Sequence, residues 1–384
     1  MNILAFNYEY PPIGGGGGVV FRAIFRKLAE THSVTVVTTH FRGLPECEHD
    51  GNLVIHRVPV LGRRDDRTAT LRSLFSYFPA SLRRGRALAK EHKFDVVNSH
   101  FVVPSSPSAD IIARQLGIPH IISVHGGDLF DPTKKLSPHR LPIVRGTITK
   151  LLSGADRVVA QSRNTAENAR TYFNVNRAID IIPLGIPETT VPARDRDTLE
   201  IPENKFVMIT IGRLIPRKGL EDLIDLVESM NDPNDLLVIV GDGPLREALA
   251  ETVKKRGLRD RVRLTGYVTD EDKAAYLAAS DLYVSTTRHE GFGLVYLEAM
   301  HFGLPVISYD FGGQADFLEE GKTGSLVPLG RKEVFLEAVR KYKGDPALLH
   351  ECGGFNRRHV RDYYIDRCAE RYEKIFQEER RKRT

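Results

Sequence analysis

At 384 residues, 41% of them hydrophobic and 27% charged, the chain is too long for one ordinary core and has the composition of a soluble two-domain protein. Its net charge of +5 falls short of a dedicated nucleic-acid binder, and no zinc-finger or RRM pattern is present. No apolar run is bilayer-length, no secretory signal is visible, and the three scattered cysteines, Cys47, Cys352 and Cys368, form neither a disulfide framework nor a CxxC zinc site, so a reducing, cytoplasmic setting is expected.

In chain order, the segments NILAF (2–6), SVTVVTT (33–39), LVIHRVP (53–59), FDVVNSH (94–100), HIISVHG (120–126), ADRVVAQS (155–162) and DIIPLGI (180–186) read as strands separated by helix-length amphipathic stretches. A proline-rich polar stretch at 186–205 follows. A second series then runs through FVMITIGR (206–213), LLVIVGDG (236–243), RVRLTGYV (261–268), ASDLYVST (279–286), LPVISYD (304–310) and GSLVP (324–328), before a last helix. Such alternation gives an α/β fold with two doubly wound parallel sheets. The linker includes an Asp-x-Asp string at 195–197, which has no strand to aim it and reads as solvated linker, not as a metal site.

The first strand leads into five glycines, Gly14 to Gly18, and then a helix, an arrangement that brings backbone amides to a phosphate. A dinucleotide site needs an acid after the second strand, where Thr38, Thr39 and His40 stand instead, and a P-loop needs a Gly-Lys-Ser/Thr that is missing. Another phosphate is the better use of these glycines. In the second half, Gly291-Phe292-Gly293 opens a helix just after Glu290, and Glu298 lies among Leu294, Leu297 and Met300. A buried acid there is either paired within the protein or holds ligand hydroxyls. Arg213 and Lys218 of GRLIPRKG lie just beyond a strand, at the end where open α/β sheets bind ligands. Two cations and a helix N-terminus make a diphosphate site that needs no metal.

These residues resemble the family 4 glycosyltransferases of the GT-B fold, retaining enzymes that use nucleotide-sugar donors. The likeness runs from YPPIGGGGG to TGSLVP. It is carried by the Glu290/Glu298 pair, GRLxxxKG, VGDGP (240–244), ADRVVAQS, GKTGSLVP and HGGD (125–128). The resemblance implies two Rossmann-like domains facing across a cleft, with an acceptor-side domain at 1–187 and a nucleotide-sugar domain at 188–362. A closing helix at 363–384 can cross back onto the first. It further implies transfer of a hexosyl or N-acetylhexosaminyl group from a nucleoside diphosphate sugar, UDP first and GDP second. The acceptor is a hydroxyl of a carbohydrate, small molecule or lipid-linked partner, with retention of configuration and without metal or cofactor.

By the same resemblance, Glu290 and the amides of Gly291, Phe292 and Gly293 meet the donor sugar, and Glu298 holds the ribose. Arg213 and Lys218 bind the diphosphate, over which Gly15, Gly16 and Gly17 close. Gly241 and the backbone near Tyr267 lie at the nucleotide, and His125 and Asp128 face the transferred sugar. Two departures stand out: LGIPE (184–188) replaces the usual Asn-Gly-hydrophobic-Asp hinge, and Gln314, Ala315 and Asp316 stand where relatives often carry Glu.

On the acceptor side, Leu71, Leu74, Phe75 and Phe78 recur at helical spacing before Arg83, Arg84, Arg86 and Lys90. They read first as a helix packed on its own domain, and second as a seat on anionic lipid at the inner face of the cell membrane. Other readings of the whole chain are a catalytically silent sugar-nucleotide subunit, an epimerase or phosphorylase on the same plan, and an NAD-dependent oxidoreductase.

Overall fold

The computed structural model describes residues 1–383 apart from 67, 135, 191 and 194; the linker positions 191 and 194 and the last residue of the 363–384 stretch thus lie outside the described residues. The chain divides into two units, one of Met1–Pro187 with Tyr363–Thr384 and the other of Glu188–Asp362. Among the described residues, none forms a helix long and apolar enough to cross a membrane.

The first unit runs β1 (Asn2–Asn7), α1 (Gly16–Leu28), β2 (Ser33–Thr39), β3 (Cys47–Asp50), β4 (Leu53–Val58), α2 (Leu71–Glu91), β5 (Val96–His100), α3 (Val102–Leu116) and β6 (His120–Val124). It continues through α4 (Pro142–Gly154), β7 (Arg157–Ala160), α5 (Arg163–Phe173) and β8 (Ile179–Ile181). The strands form a sheet in the order β3-β4-β2-β1-β5-β6-β7-β8, parallel except for β3, with Ile3 opposite Val34 on one side and Val96 on the other. Every residue of β5 and β6 is buried, because strands covered on both faces read as unbroken runs, not as alternations. The antiparallel edge strand β3, with the sequence CEHD, was not among the expected strands; four polar or small residues carry no strand pattern.

The second unit runs β9 (Phe206–Ile211), α6 (Leu220–Met230), β10 (Asp235–Val240), α7 (Arg246–Lys255), β11 (Val262–Gly266), α8 (Asp270–Ala278), β12 (Leu282–Ser285), α9 (Leu294–His301), β13 (Val306–Tyr309), β14 (Gly324–Val327), α10 (Lys332–Gly344) and α11 (Pro346–His359). Its parallel sheet has the order β11-β10-β9-β12-β13-β14, with Met208 opposite Leu237 and Leu282. Met208, Leu237, Ile239, Leu282 and Ile307 pack with Leu223, Ile224, Val253, Phe335 and Val339 from the helices into one core.

The chain then returns to the first unit as α12 (Ile365–Arg381). Lys27 meets Asp366 at 3.2 Å, His32 meets Glu373 at 3.1 Å, Arg157 meets Glu378 at 2.7 Å, and Tyr372 donates to Ser123 Oγ at 3.0 Å. The LGIPE strap is tied to the start of this return: Ile186 N–H donates to Tyr363 O at 3.0 Å and Ile365 N–H to Ile186 O at 2.9 Å.

The structure refines two expectations. On α2, the side turned inward carries Ser73, Tyr77, Ser81, Gly85 and Leu88, while Leu71 and Phe75 are 65% and 76% exposed and Phe78 is exposed with them. The helix thus packs on its own domain as expected, Tyr77 and Leu88 lying in the core with Leu74 against it, but Leu71, Phe75 and Phe78 of the apolar stripe are left outside; Gly85 lets the helix approach Phe6 and Ile112, and Tyr77 donates to Val37 O at 2.8 Å. In the Asp-x-Asp string, Asp195 and Asp197 are exposed, as expected of a solvated linker, and only the residue between them departs from that reading. That residue, Arg196, is buried and donates to Lys205 O at 2.7 Å, Glu203 O at 3.0 Å and Asp281 Oδ2 at 2.8 Å, while Asp195 caps Thr198 N–H at 3.2 Å.

Candidate active site

In the second sheet, strands succeed one another in one direction from β9 to β11 and in the other from β12 to β14, so the order reverses between β9 and β12. Open α/β sheets bind ligands beyond the carboxyl ends of their strands at such a reversal. Arg213, Arg217 and Lys218 follow β9 there, and Glu290 follows β12. Lys218 Nζ donates to Glu290 Oε2 at 2.8 Å, and Arg217 Nη1 stands 3.6 Å from Glu290 Oε1. Burial raises the Glu290 carboxyl, yet the Lys218 and Arg217 charges outweigh it and hold the acid below its ordinary range. Arg213 is exposed, and Arg217 is the second cation at the acid, a role the sequence did not distinguish from that of its neighbours.

Backbone constraints fix this acid. Glu290 O accepts Gly313 N–H at 2.8 Å and presses on Gly312, at φ +136°, where any Cβ would strike it. Gly293, at φ +94°, caps α9, and a side chain there would meet the Tyr296 ring. Phe292 is buried against Phe317, ring centroids 5.0 Å apart, so its amide, not its ring, is what it offers a ligand beside Gly291 and Gly293. Gln314, beyond β13, donates from Nε2 to Tyr309 O at 2.8 Å and keeps a buried Oε1 without a partner. Gly241, beyond β10, donates to Gly266 O at 2.9 Å, and Tyr267, beyond β11, exposes 70% of its surface.

Glu298 lies on α9 with one oxygen committed and one not. Lys273 Nζ of α8 donates to Oε1 at 2.9 Å. Oε2 is buried and accepts no hydrogen bond. A desolvated carboxylate oxygen without a donor is costly, so this position is suited to a ligand that brings hydroxyl donors. The sequence offered the choice between a paired acid and a hydroxyl-binding one, and the structure shows one oxygen in each condition. Lys273, within TDEDKAAYL, had no pattern that could have announced it.

In the first unit the strand order reverses between β1 and β5; the glycine loop follows β1, and His100 is the last residue of β5. Gly15 N–H donates to Glu9 Oε2 at 3.1 Å, and Gly14 N–H to Asp66 O at 2.8 Å. Gly16 and Gly17 form the first turn of α1, where amides have no carbonyl within the helix and no side chain caps them. A Cβ at Gly17 would meet the Phe101 ring at 2.5 Å. Burial raises the Glu9 carboxyl, although the Gly15 amide opposes the shift.

Beyond β6, Asp128 accepts His125 N–H at 2.9 Å and Val102 N–H at 3.1 Å, one on each oxygen. Burial nevertheless pushes its carboxyl up to about 6. His125 Nε2 lies 2.8 Å from His100 Nδ1, its carbonyl accepts Gln161 Nε2 at 2.7 Å, and burial draws its imidazole down to about 4. Glu9 and His100 are further residues that no motif singled out.

Residues 14–189 match the family model described as Glycosyltransferase Family 4, and residues 193–359 match that described as Glycosyl transferases group 1. The chain is 27% identical over 360 residues to the GDP-mannose-dependent alpha-(1-6)-phosphatidylinositol monomannoside mannosyltransferase of Mycolicibacterium smegmatis, covering 90% of each. It is 31% identical to the lipopolysaccharide core biosynthesis glycosyltransferase LpsE of Rhizobium meliloti over 241 residues, 60% of this chain and 67% of that one. Sucrose-phosphate synthase from Thermosynechococcus elongatus superposes with a TM-score of 0.85 at 21% identity, covering 98% of both chains, which establishes the shared fold of two Rossmann-like domains. Two successive family matches, relatives named as a mannosyltransferase and a glycosyltransferase, and this fold lead to one assignment. The chain belongs to glycosyltransferase family 4, the group 1 glycosyl transferases of the GT-B fold, and is a hexosyltransferase that uses nucleotide sugars.

Proposed function

We propose that the protein transfers a hexosyl or N-acetylhexosaminyl group from a nucleoside diphosphate sugar to an acceptor hydroxyl, with retention of anomeric configuration and without metal or other cofactor. The observation that carries the proposal is Glu298 Oε2, a buried acceptor without a donor beside an ion pair at the sheet's reversal point. The ribose hydroxyls fill that vacancy. Arg213, Arg217 and Lys218 neutralise the diphosphate, Glu290 and the amides of Gly291 to Gly293 hold the donor sugar, and His125 and Asp128 bind the sugar from the first unit's loops. The glycine loop supplies Gly16 and Gly17 amides, Gly15 being engaged by Glu9.

Breaking the bond between the anomeric carbon and the β-phosphate oxygen builds negative charge on the departing diphosphate, which the three cations stabilise in the transition state. A retaining hydrolase would present a carboxylate nucleophile. Asp128 has both oxygens held by amides and Glu290 is tied to Lys218, which disfavours a covalent intermediate on either. The acceptor hydroxyl then attacks from the face the diphosphate leaves, and its proton passes to the departing phosphate oxygen. Calorimetric titration of UDP and GDP in EDTA tests the site: one nucleoside diphosphate is expected to bind in the micromolar range without metal. Binding of neither, or only with added divalent cation, overturns the proposal. The anomeric coupling constant of the product decides retention. UDP follows from the family resemblance, whereas the matched mannosyltransferase uses GDP-mannose, so the titration compares both bases.

The outward face of α2 supports a lipid-side acceptor. Exposed Leu71, Phe75 and Phe78 precede exposed Arg83, Arg86 and Lys90, an apolar-then-basic surface suited to anionic headgroups. Co-sedimentation with phosphatidylglycerol-containing vesicles is expected to exceed that with neutral vesicles several-fold and to fall on Phe75→Ser. Equal pelleting on both lipids refutes membrane contact.

A further inference from the structure

We propose that His100 is a positioning residue that fixes His125 as a hydrogen-bond donor through Nδ1, an inference that rests on the reading of His125 as a sugar-facing residue. The two imidazoles come from the ends of adjacent strands, His100 closing β5 and His125 following β6, and the β5–β6 pairing puts His100 opposite Ser123. Their facing atoms, His100 Nδ1 and His125 Nε2, are 2.8 Å apart, so one ring donates a proton and the other accepts it.

The rest of the His100 environment selects the direction. The ring is completely buried, with Phe21 and Phe25 at 4.9 Å and 5.7 Å edge-on and Tyr372 stacked at 5.7 Å. Its Nε2 has no hydrogen-bond partner. Were His125 the donor, neutral His100 would carry its proton on Nε2, a buried N–H among aromatic rings with no acceptor. Orphaned buried N–H groups are rare in proteins. With His100 donating from Nδ1, Nε2 holds only a lone pair and the buried proton is used. Burial lowers the proton affinity of both rings, in keeping with a neutral pair.

The consequence falls on His125. Its Nε2 is occupied by the His100 N–H, so its own proton sits on Nδ1. The ring then presents a fixed donor to a sugar hydroxyl or phosphate oxygen and cannot take a proton there as a base. Asp128 accepts the His125 backbone amide, and Gln161 donates to the His125 carbonyl and also hydrogen-bonds the imidazole through its side chain, favouring the protonated ring where burial opposes it. Tyr372, from α12, completes the packing and is itself anchored on Ser123.

The test is long-range 1H–15N NMR of the full chain labelled in histidine, with His100→Asn and His100→Leu beside it. The asparagine amide can place a donor where Nδ1 stood; leucine cannot. In the wild type and His100→Asn, His125 is expected to be the Nδ1–H tautomer, and in His100→Leu the Nε2–H form is expected to become populated. Hydrolysis of GDP-mannose, UDP-glucose or UDP-N-acetylglucosamine, whichever the protein accepts, is expected to fall about ten-fold or more in kcat in His100→Leu, with KM changed less, and to recover in His100→Asn. A wild-type His125 protonated at Nε2, or a tautomer indifferent to leucine, overturns the inference. His125→Ala separates the two claims: unchanged turnover refutes the sugar-facing role itself, whereas lost turnover with an Nε2–H tautomer refutes only the part assigned to His100.

Discussion

Lys218→Ala is expected to lower release of nucleoside diphosphate from the sugar donor by about two to three orders of magnitude in kcat, the usual loss when one preorganised donor at a developing negative charge is removed. The same change leaves Glu290 with Arg217 alone, 3.6 Å away, and a buried acid deprived of its partner costs about 3 kcal/mol of stability. Because Glu290's carboxyl is held below its unfolded value of 4.5, the pair stabilises the fold fully above that pH and loses its contribution as the pH falls through the lower folded value. Denaturant midpoints of wild type and variant should therefore differ at pH 7 and converge in acid. Turnover within three-fold of wild type would remove Lys218 from the diphosphate site, and a pH-independent stability difference would remove the ion pair from the explanation.

Glu298→Ala is expected to weaken nucleoside diphosphate binding about ten- to one-hundred-fold, the range for hydrogen bonds to a charged group. It also leaves Lys273 without its closest carboxylate, with Asp270 at 3.1 Å remaining. The sharper measurement compares ribo- and 2′-deoxyribonucleotides. The wild type should prefer the ribonucleotide by roughly ten-fold or more, and Glu298→Ala should bind both alike. A preference that survives the substitution places the ribose elsewhere.

Sequence alone reached the parallel strands and the carboxyl-end loops because strands covered on both faces leave continuous apolar runs, and because Lys218, Glu290 and Glu298 stand at motif spacing. It failed where packing inverts hydrophobicity. On α2 the inward residues include Ser73, Ser81 and Gly85, chosen for close approach, while Phe75 faces out. Arg196 looked solvated because its acceptors are backbone carbonyls and Asp281, which no local pattern announces. His100 and Lys273 were illegible for a related reason. Each acts on a residue 25 positions away, and their meeting depends on strand register and helix placement, not on neighbours in the chain.

The tie between Ile186 and Tyr364 has a consequence for how the protein is made. The second unit is a single uninterrupted stretch set inside the first, whose own ring stack around His100 lacks Tyr372 until α12 exists. A ribosome therefore delivers every residue of the second unit before the first unit's sheet has its last helix. Domains fold as units during synthesis, so the half begun first is the half finished last, and the ring stack around His100 gains Tyr372 only once α12 has been made.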